Sequence, residues 1–223
     1  MTDQTSRPIK RALISVSDKC GLEDLGQFLS DYGVEIISTG GTAATLSKSG
    51  VSVKEVSAYT EFPEIMDGRI KTLHPLIHGG ILARRDDKAH IAAMKQHGIT
   101  PIDLVVINLY PFEAAVAGGA NFDACIENID IGGPSLIRAA AKNHEYVTIV
   151  TDPSDYGILM NTMRENEGVI PTKLRKQLGA AAYARTGAYD AAISTWFAEK
   201  TSDALPKQYN MSGTRVQLMR YGE

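Results

Sequence analysis

The chain is 223 residues long, which against a usual domain size of roughly 100 to 200 residues allows one large domain, or one domain with an appended tail. At 43% hydrophobic and 22% charged it matches the globular average, which excludes wholesale disorder, collagen-like repeats and coiled coils. Lys plus Arg at 23 against Asp plus Glu at 26 gives a net charge of -3, without the basic excess of a nucleic-acid or anionic-membrane binder, so any anionic ligand must be held locally.

The opening Met1 to Arg11 is polar and holds no apolar segment of a secretory signal. No later run approaches the roughly 18 apolar residues of a membrane span, so a cytoplasmic protein is expected. Cys20 and Cys125 are the only cysteines, which suits reduced thiols in a reducing compartment better than a disulfide scaffold.

Apolar β-branched runs alternate with stretches of helical period, the signature of βα units feeding a mainly parallel sheet, and the class is α/β. The first strand is Ala12 to Val16. Leu22, Leu25, Phe28, Leu29 and Tyr32 then trace one helical face, stopped by Gly33. Val34 to Ile37 reads as a second strand, Thr39-Gly40-Gly41-Thr42 as its turn, Ala43 to Ser49 as a short helix closed by Gly50, and Val51 to Val56 as a weaker third strand. From Ser57 to Thr72 periodicity lapses and Pro63, Gly68 and charges accumulate, a length that marks a functional loop. A helix near Asp87 to His97 precedes Leu104 to Ile107, which reads as a central strand buried on both faces. A helix around Phe122 to Asn128, a break at Gly132-Gly133-Pro134, a helix from Ser135 to Lys142 and a strand from Val147 to Val150 complete the sheet-forming part. Helices follow at Pro153 to Glu165 and Thr172 to Glu199. The polar stretch after Lys200, with Pro206, reads as a linker or tail.

Two strand-to-helix turns, Ser15-Val16-Ser17-Asp18-Lys19 and Thr39-Gly40-Gly41-Thr42, place small and hydroxyl residues where helix N-terminal N–H groups face solvent, which is the makeup of an anion site. Each alone is equally an ordinary capped turn; together they favour a phosphate. Neither fits the Walker or the dinucleotide fingerprint, so ATP and NAD are not indicated. Arg69, Lys71, Thr72 and His74 end the irregular loop with cations and further donors, where solvated surface charge is the plain alternative. Tyr110 lies just past the carboxyl end of the buried strand, where open α/β sheets bind ligands, although half-buried packing is the common role of such a tyrosine. Asp130 sits beside Gly132 and Gly133 and serves either a ligand or the cap of the next helix. Lys142 closes an alanine-rich helix, where it also complements the helix dipole. His74 and His78 have metal-ligand spacing, yet no H-E-x-x-H or cysteine pair accompanies them, and no metal is expected.

Taken in order, SVSDK, TGGT, GRIKTLHP, NLYPF and NIDIGGPSLIRAAAKNH closely resemble the IMP cyclohydrolase domain of the bifunctional AICAR formyltransferase/IMP cyclohydrolase family, over roughly Ile9 to Phe197. The resemblance implies a methylglyoxal synthase-like fold. It also implies a reaction, the dehydrating ring closure of 5-formamidoimidazole-4-carboxamide ribotide to inosine monophosphate, with a phosphorylated purine ribotide as substrate, no cofactor and a homodimeric state. By the same likeness the phosphate contacts fall on Ser17, Asp18, Lys19, Thr39, Gly40, Gly41 and Thr42, joined by Arg69 and Thr72. Base-facing contacts fall on Ile107, Asn108, Asp130 and Ile131, and chemistry on Lys71, Tyr110, Asp130 and Lys142. Cys20 stands where many relatives are expected to carry Thr. The family continues into a larger formyltransferase domain, so residues 1–200 are expected to form the cyclohydrolase unit and 201–223 a linker or the start of that second domain, making the chain a truncated half. A nucleotide-sensing domain of the same fold would need the phosphate turns but not the Lys71, Tyr110, Asp130 and Lys142 set. Methylglyoxal synthase itself is the third reading.

Overall fold

The computed structural model describes residues 7–201 and 207–220; the start of the opening segment and part of the tail, including Pro206 and Tyr221, lie outside the described residues. Strand β1 (Arg11–Val16) leads to helix α1 (Leu22–Asp31), β2 (Glu35–Ser38), α2 (Gly40–Lys48), β3 (Val53–Glu55) and α3 (Val56–Thr60). After a 3-10 turn at Met66–Gly68 come α4 (Pro75–Leu82), α5 (Lys88–Gln96), β4 (Leu104–Asn108), α6 (Phe112–Ala117), α7 (Phe122–Glu127), α8 (Gly132–Lys142) and β5 (Thr148–Val150). A second 3-10 turn, Pro153–Asp155, precedes α9 (Tyr156–Glu165) and the long α10 (Thr172–Lys200).

The strands form one parallel sheet in the order β3-β2-β1-β4-β5. The chain winds outward to one side through β2 and β3, then returns to continue on the other side of β1. Right-handed crossovers accordingly place α1 and α2 on one face and α8 on the other. The packing agrees, because α1 touches α2 and α9, whereas α8 touches α4 and α10. With both faces covered, β1 and β4 are apolar throughout their centres: Leu13, Ile14, Val105 and Val106 are all buried. The order reverses between β1 and β4, the point at which open sheets hold ligands beyond their carboxyl ends. Register fixes what meets there, since Val16 pairs with Asn108 and Ile14 with Ser38.

Three sequence expectations are corrected. The glycine pairs are not breaks: Gly40 and Gly41 open α2, and Gly132, Gly133 and Pro134 form the first turn of α8. A proline in that turn forfeits no helical hydrogen bond, because the first N–H groups have no intrahelical acceptor. The irregular stretch Ser57 to Thr72 contains α3 and the 3-10 turn, and its irregularity concentrates at Glu61, Met66 and Asp67, all with positive φ. Helices α4 and α6 were not expected. The sequence of α4, PLIHGGIL, is apolar nearly all round and contains two glycines, so it shows no amphipathic stripe. Residues 207–220 carry no helix or strand and are exposed. Among the described residues no helix is long and apolar enough to cross a membrane.

Candidate active site

A cleft of about 750 Å³ opens at the carboxyl ends of β1, β2 and β4. Its floor is built by stitching the first two βα turns together. Ser15 Oγ meets Thr39 Oγ1 at 2.8 Å, and the Thr42 hydroxyl both accepts from Val16 N and donates to Val16 O at 3.0 Å. Neither α1 nor α2 has a side-chain N-cap hydrogen bond, so the plain capped-turn reading does not describe either turn. The hydroxyls of Thr39 and Thr42 hold strand to helix instead.

Two ammonium groups converge on the start of α2. A methyl group on Gly41 would stand 3.9 Å from Lys19 Nζ, and one on Gly40, whose φ is +42°, would stand 3.7 Å from Lys71 Nζ. Small residues, a helix N-terminus and two cations in one corner make a phosphate-sized anion site. Lys71 is also paired with Glu64 at 3.4 Å, and Arg69 with Glu127 in a short ion pair that joins the 61–72 loop to the end of α7.

The other wall is the segment between α7 and α8. Asp130 Oδ1 accepts from Gly133 N at 2.8 Å, so although Ile131 is the N-cap of α8, Asp130 satisfies one N–H of its first turn from the residue before. The carboxyl group nonetheless belongs to the cleft. Burial raises its pKa above the ordinary 3.8, opposed by the N–H groups of Gly133 and Tyr110 and by the field of Lys71. The Tyr110 backbone and the Lys71 ammonium thus both bear on the Asp130 carboxylate. Gly133 is required by this closeness, since a methyl group there would come within 2.8 Å of Leu109 Cδ2. The Tyr110 side chain is about half exposed and lines the same space.

Of the expected site residues, Ser17, Lys19, Thr39, Gly40, Gly41, Thr42, Arg69, Lys71, Thr72, Ile107, Asn108, Tyr110, Asp130 and Ile131 all line the cleft. Two do not. Asp18 is exposed and turns its carboxylate to Cys20 N at 2.9 Å, shaping the β1–α1 turn. Lys142 is exposed on the last turn of α8, whose first residue lines the cleft; ten residues at ~1.5 Å each put it ~15 Å along the helix. Asn108, which lines the cleft, also has a structural part that the sequence did not suggest. Its Oδ1 accepts from Ser17 N at 2.6 Å and Asp18 N at 2.9 Å, and its Nδ2 donates to Asp18 O, so it clamps the phosphate turn. The histidines are engaged in the scaffold: His74 Nδ1 accepts from Leu76 N at the start of α4, and His78 Nε2 meets Ser135 Oγ at 3.0 Å. Sequence reasoning missed Glu64, which pairs with Lys71 from within the same irregular loop; Glu127, whose pairing with Arg69 across 58 positions leaves no local signal; and Phe197, which brings α10 to the cleft.

A doubly wound parallel sheet with an anion corner at its switch point defines the class, and the chain belongs to the MGS-like domain family, matched over residues 21–135. Residues 140–223 match a second family, the AICARFT/IMPCHase bienzyme. The chain is similar to the bifunctional purine biosynthesis protein PurH of Cereibacter sphaeroides, at 58% identity over 97% of this chain and 41% of that protein. It resembles PurH of Rhodospirillum rubrum at 57% identity over 98% of this chain and 41% of the relative, and that of Dinoroseobacter shibae at 55% over 100% and 42%. It thus spans about two fifths of the length of the curated relatives it matches. Among solved structures, that of ForH aligns with a TM-score of 0.75 and 33% identity, over 85% of this chain and 99% of the other.

Proposed function

We propose that this chain is an IMP cyclohydrolase, of the cyclic amidine hydrolase class acting in the ring-closing direction, which converts 5-formamidoimidazole-4-carboxamide ribotide to inosine monophosphate and water. The observation that carries the reading is that Asp130 and Tyr110 line the same cleft as the anion corner of Lys19 and Lys71, with the Lys71 ammonium close enough to act on the Asp130 carboxylate. The similarity to PurH, whose name places it in purine biosynthesis, supports the choice of substrate.

The imidazole ring already holds the carboxamide nitrogen beside the formyl carbon, so much of the orientation entropy is met before binding. As the C–N bond forms, Asp130 takes a proton from the amide nitrogen. A carboxylate with a raised pKa is the better base for that step. Negative charge moves to the formyl oxygen, where the Lys71 ammonium stabilises it. Tyr110 then delivers a proton to that oxygen, giving a hydroxyl. The proton held by Asp130 passes to this hydroxyl as the C–O bond breaks and water leaves, while the former formamido nitrogen forms the C=N bond and returns its proton to Tyr110, so that both side chains are restored. No atom changes oxidation state, so the scheme calls for no redox centre, and Asp130, Lys71 and Tyr110 supply its proton transfers and charge stabilisation without a metal or organic cofactor. Ser17, Lys19 and Thr39 to Thr42 hold the phosphate, with Arg69 and Thr72, while Ile107 and Ile131 flank the base.

We take residues 1–200 as the catalytic unit and 201–223 as a linker or the start of a formyltransferase domain, and place the protein in the cytoplasm as a homodimer that binds neither nucleic acid nor membrane. Lys142 has no part in this scheme, because its helix carries it away from the cleft. Incubating the chain with the formamido ribotide should yield inosine monophosphate. Release of methylglyoxal from dihydroxyacetone phosphate, with no cyclisation, would move the assignment to the lyase reading.

A further inference from the structure

The mechanism above uses no residue of α10, yet this helix supplies a side chain, Tyr189, that reaches both the 128–130 segment and the start of α6 after Tyr110. Tyr189 is buried at 1% exposure. Its hydroxyl accepts from Asp130 N at 2.8 Å and donates to Asn128 O at 3.2 Å, which fixes the backbone on both sides of Ile129. Its ring meets that of Phe112 edge-on, with centroids 6.3 Å apart, and Phe112 N donates to Tyr110 O at 2.8 Å. Outside this contact the ring is covered by Arg185, 5.9 Å from the centroid, which pairs with Glu113 of α6 at 3.1 Å.

We propose that Tyr189 is a positioning residue for the cyclohydrolase reaction, setting Asp130 through its hydroxyl and Tyr110 through its ring, so that the two proton-transfer groups keep a fixed separation. The proposal rests on the functional reading above. Physically it follows from where each group sits. The segment 128–131 has no regular backbone ladder of its own, so a buried tyrosine hydroxyl that satisfies one N–H and one C=O there is what keeps it in a single conformation. Positions that hold reacting groups gain rate from small errors removed, and a shift of about 1 Å is enough to lower turnover by two orders of magnitude. Tyr189 lies in the stretch shared with the bienzyme family and outside the part matched by the MGS-like family. The shared sheet therefore supplies the anion corner, and α10 supplies the alignment for this chemistry.

The test is Tyr189→Phe, which keeps the ring and removes only the hydroxyl. Turnover should fall about tenfold while the KM for the ribotide and the affinity for inosine monophosphate stay within about twofold, because the phosphate corner is untouched. Hydrogen exchange at the Asp130 amide should speed up about tenfold, the loss expected for one hydrogen bond, with the amides of β1 and β4 unchanged. In an Asp130→Asn background the same change should have no further effect on turnover, since Tyr189 acts through Asp130. Additive losses, or unchanged turnover with unchanged exchange at Asp130, would overturn the proposal and leave Tyr189 as core packing. Should Tyr189→Phe fold poorly, Phe112→Leu reads the ring arm: a fall in turnover that vanishes in a Tyr110→Phe background supports the proposal, and an additive one opposes it. If the wild-type chain does not cyclise, the functional reading fails, while faster exchange at Asp130 would still show Tyr189 fixing that segment.

Discussion

The sheet has an aspartate at each end, and the two are held in opposite ways. Asp103, just before β4 at the amino end, accepts from Lys10 N at 2.8 Å, Arg11 N at 2.9 Å and Arg85 Nη1 at 2.5 Å. Arg85 and Asp103 keep only 9% and 13% of their side-chain surface exposed. Asp130, at the carboxyl end, is also largely covered, but burial outweighs the donors around it and its pKa rises. A carboxylate met by a full set of donors serves the fold, tying β1, the loop after α4 and β4 together. One left short of them keeps its affinity for a proton and can do chemistry with it. The comparison predicts that mutating each residue breaks a different property.

The largest effect is expected at Asp130. Asp130→Asn should lower kcat by about a thousandfold, within the usual range for a general acid or base. Asparagine still offers an oxygen to Gly133 N, and it removes a carboxylate that burial disfavours, so the melting temperature should hold or rise. The sign follows from the raised pKa. Folded Asp130 binds its proton more tightly than the unfolded chain does, so its ionisation costs stability above the folded pKa. That cost is relieved as pH falls through the folded value toward 3.8. The acid limb of kcat/KM should accordingly lie above the ordinary carboxylate range and disappear in the variant. A normal limb near 3.8 would put the working base elsewhere.

Lys71 comes next. If its ammonium acts on the developing oxyanion, Lys71→Ala lowers kcat by about a hundredfold with less effect on product affinity. Its nearness to Gly40 suits a phosphate contact equally well. Steady-state kinetics separates the two, because a loss confined to KM would move Lys71 to the anion corner.

At the opposite end of the sheet, Asp103→Asn should cost about 3 kcal/mol of stability, the consequence of leaving Arg85 in a largely buried site without its partner. Turnover per folded molecule should stay within about twofold of wild type. Urea unfolding followed by activity measurement in the absence of urea checks both halves of this prediction.

The two ends differ also in how well the sequence displays them. β1, β4 and β5 read directly, because β-branched runs bounded by turn residues suit strands buried on both faces, and the hydroxyl-rich turns after β1 and β2 suggest an anion site only as a pair, since either alone reads as an ordinary helix cap. Asp130 was legible through the glycines beside it. What stayed hidden was every feature defined by distant partners. Asn108 looked like a ligand contact, but its amide also clamps a turn about ninety positions earlier. Asp103 drew no notice because its donors come from β1 and from the loop after α4. Tyr189 sits in a helix whose period suggests only packing, and its contacts with Asn128 and Asp130 span about sixty residues. Lys142 shows the converse error, since a helix that starts in the cleft carries its last turn away from it.

The smallest effect should come from Lys19. Its ammonium is exposed, its only hydrogen bond among the described residues is to Ser17 O at 3.4 Å, and it flanks Gly41 rather than the Asp130 wall. An exposed cation facing a phosphate acts through solvent and is screened by salt, with a Debye length of about 10 Å at 0.1 M ionic strength. It makes the same contact with substrate and transition state, so Lys19→Ala should raise KM by about three- to tenfold and leave kcat alone. Because the wild-type advantage is electrostatic, it should shrink as salt is raised, so that at about 1 M, where the screening length is about 3 Å, variant and wild type approach one another. Lys71 is less exposed, at 26% of its side-chain surface, and acts on a charge that exists only during reaction, so its effect should persist in the same titration. Measuring both variants across the salt series therefore sorts the two lysines by physical role. Parallel curves would mean that Lys71, like Lys19, holds only the phosphate, and would leave Asp130 and Tyr110 to carry the chemistry.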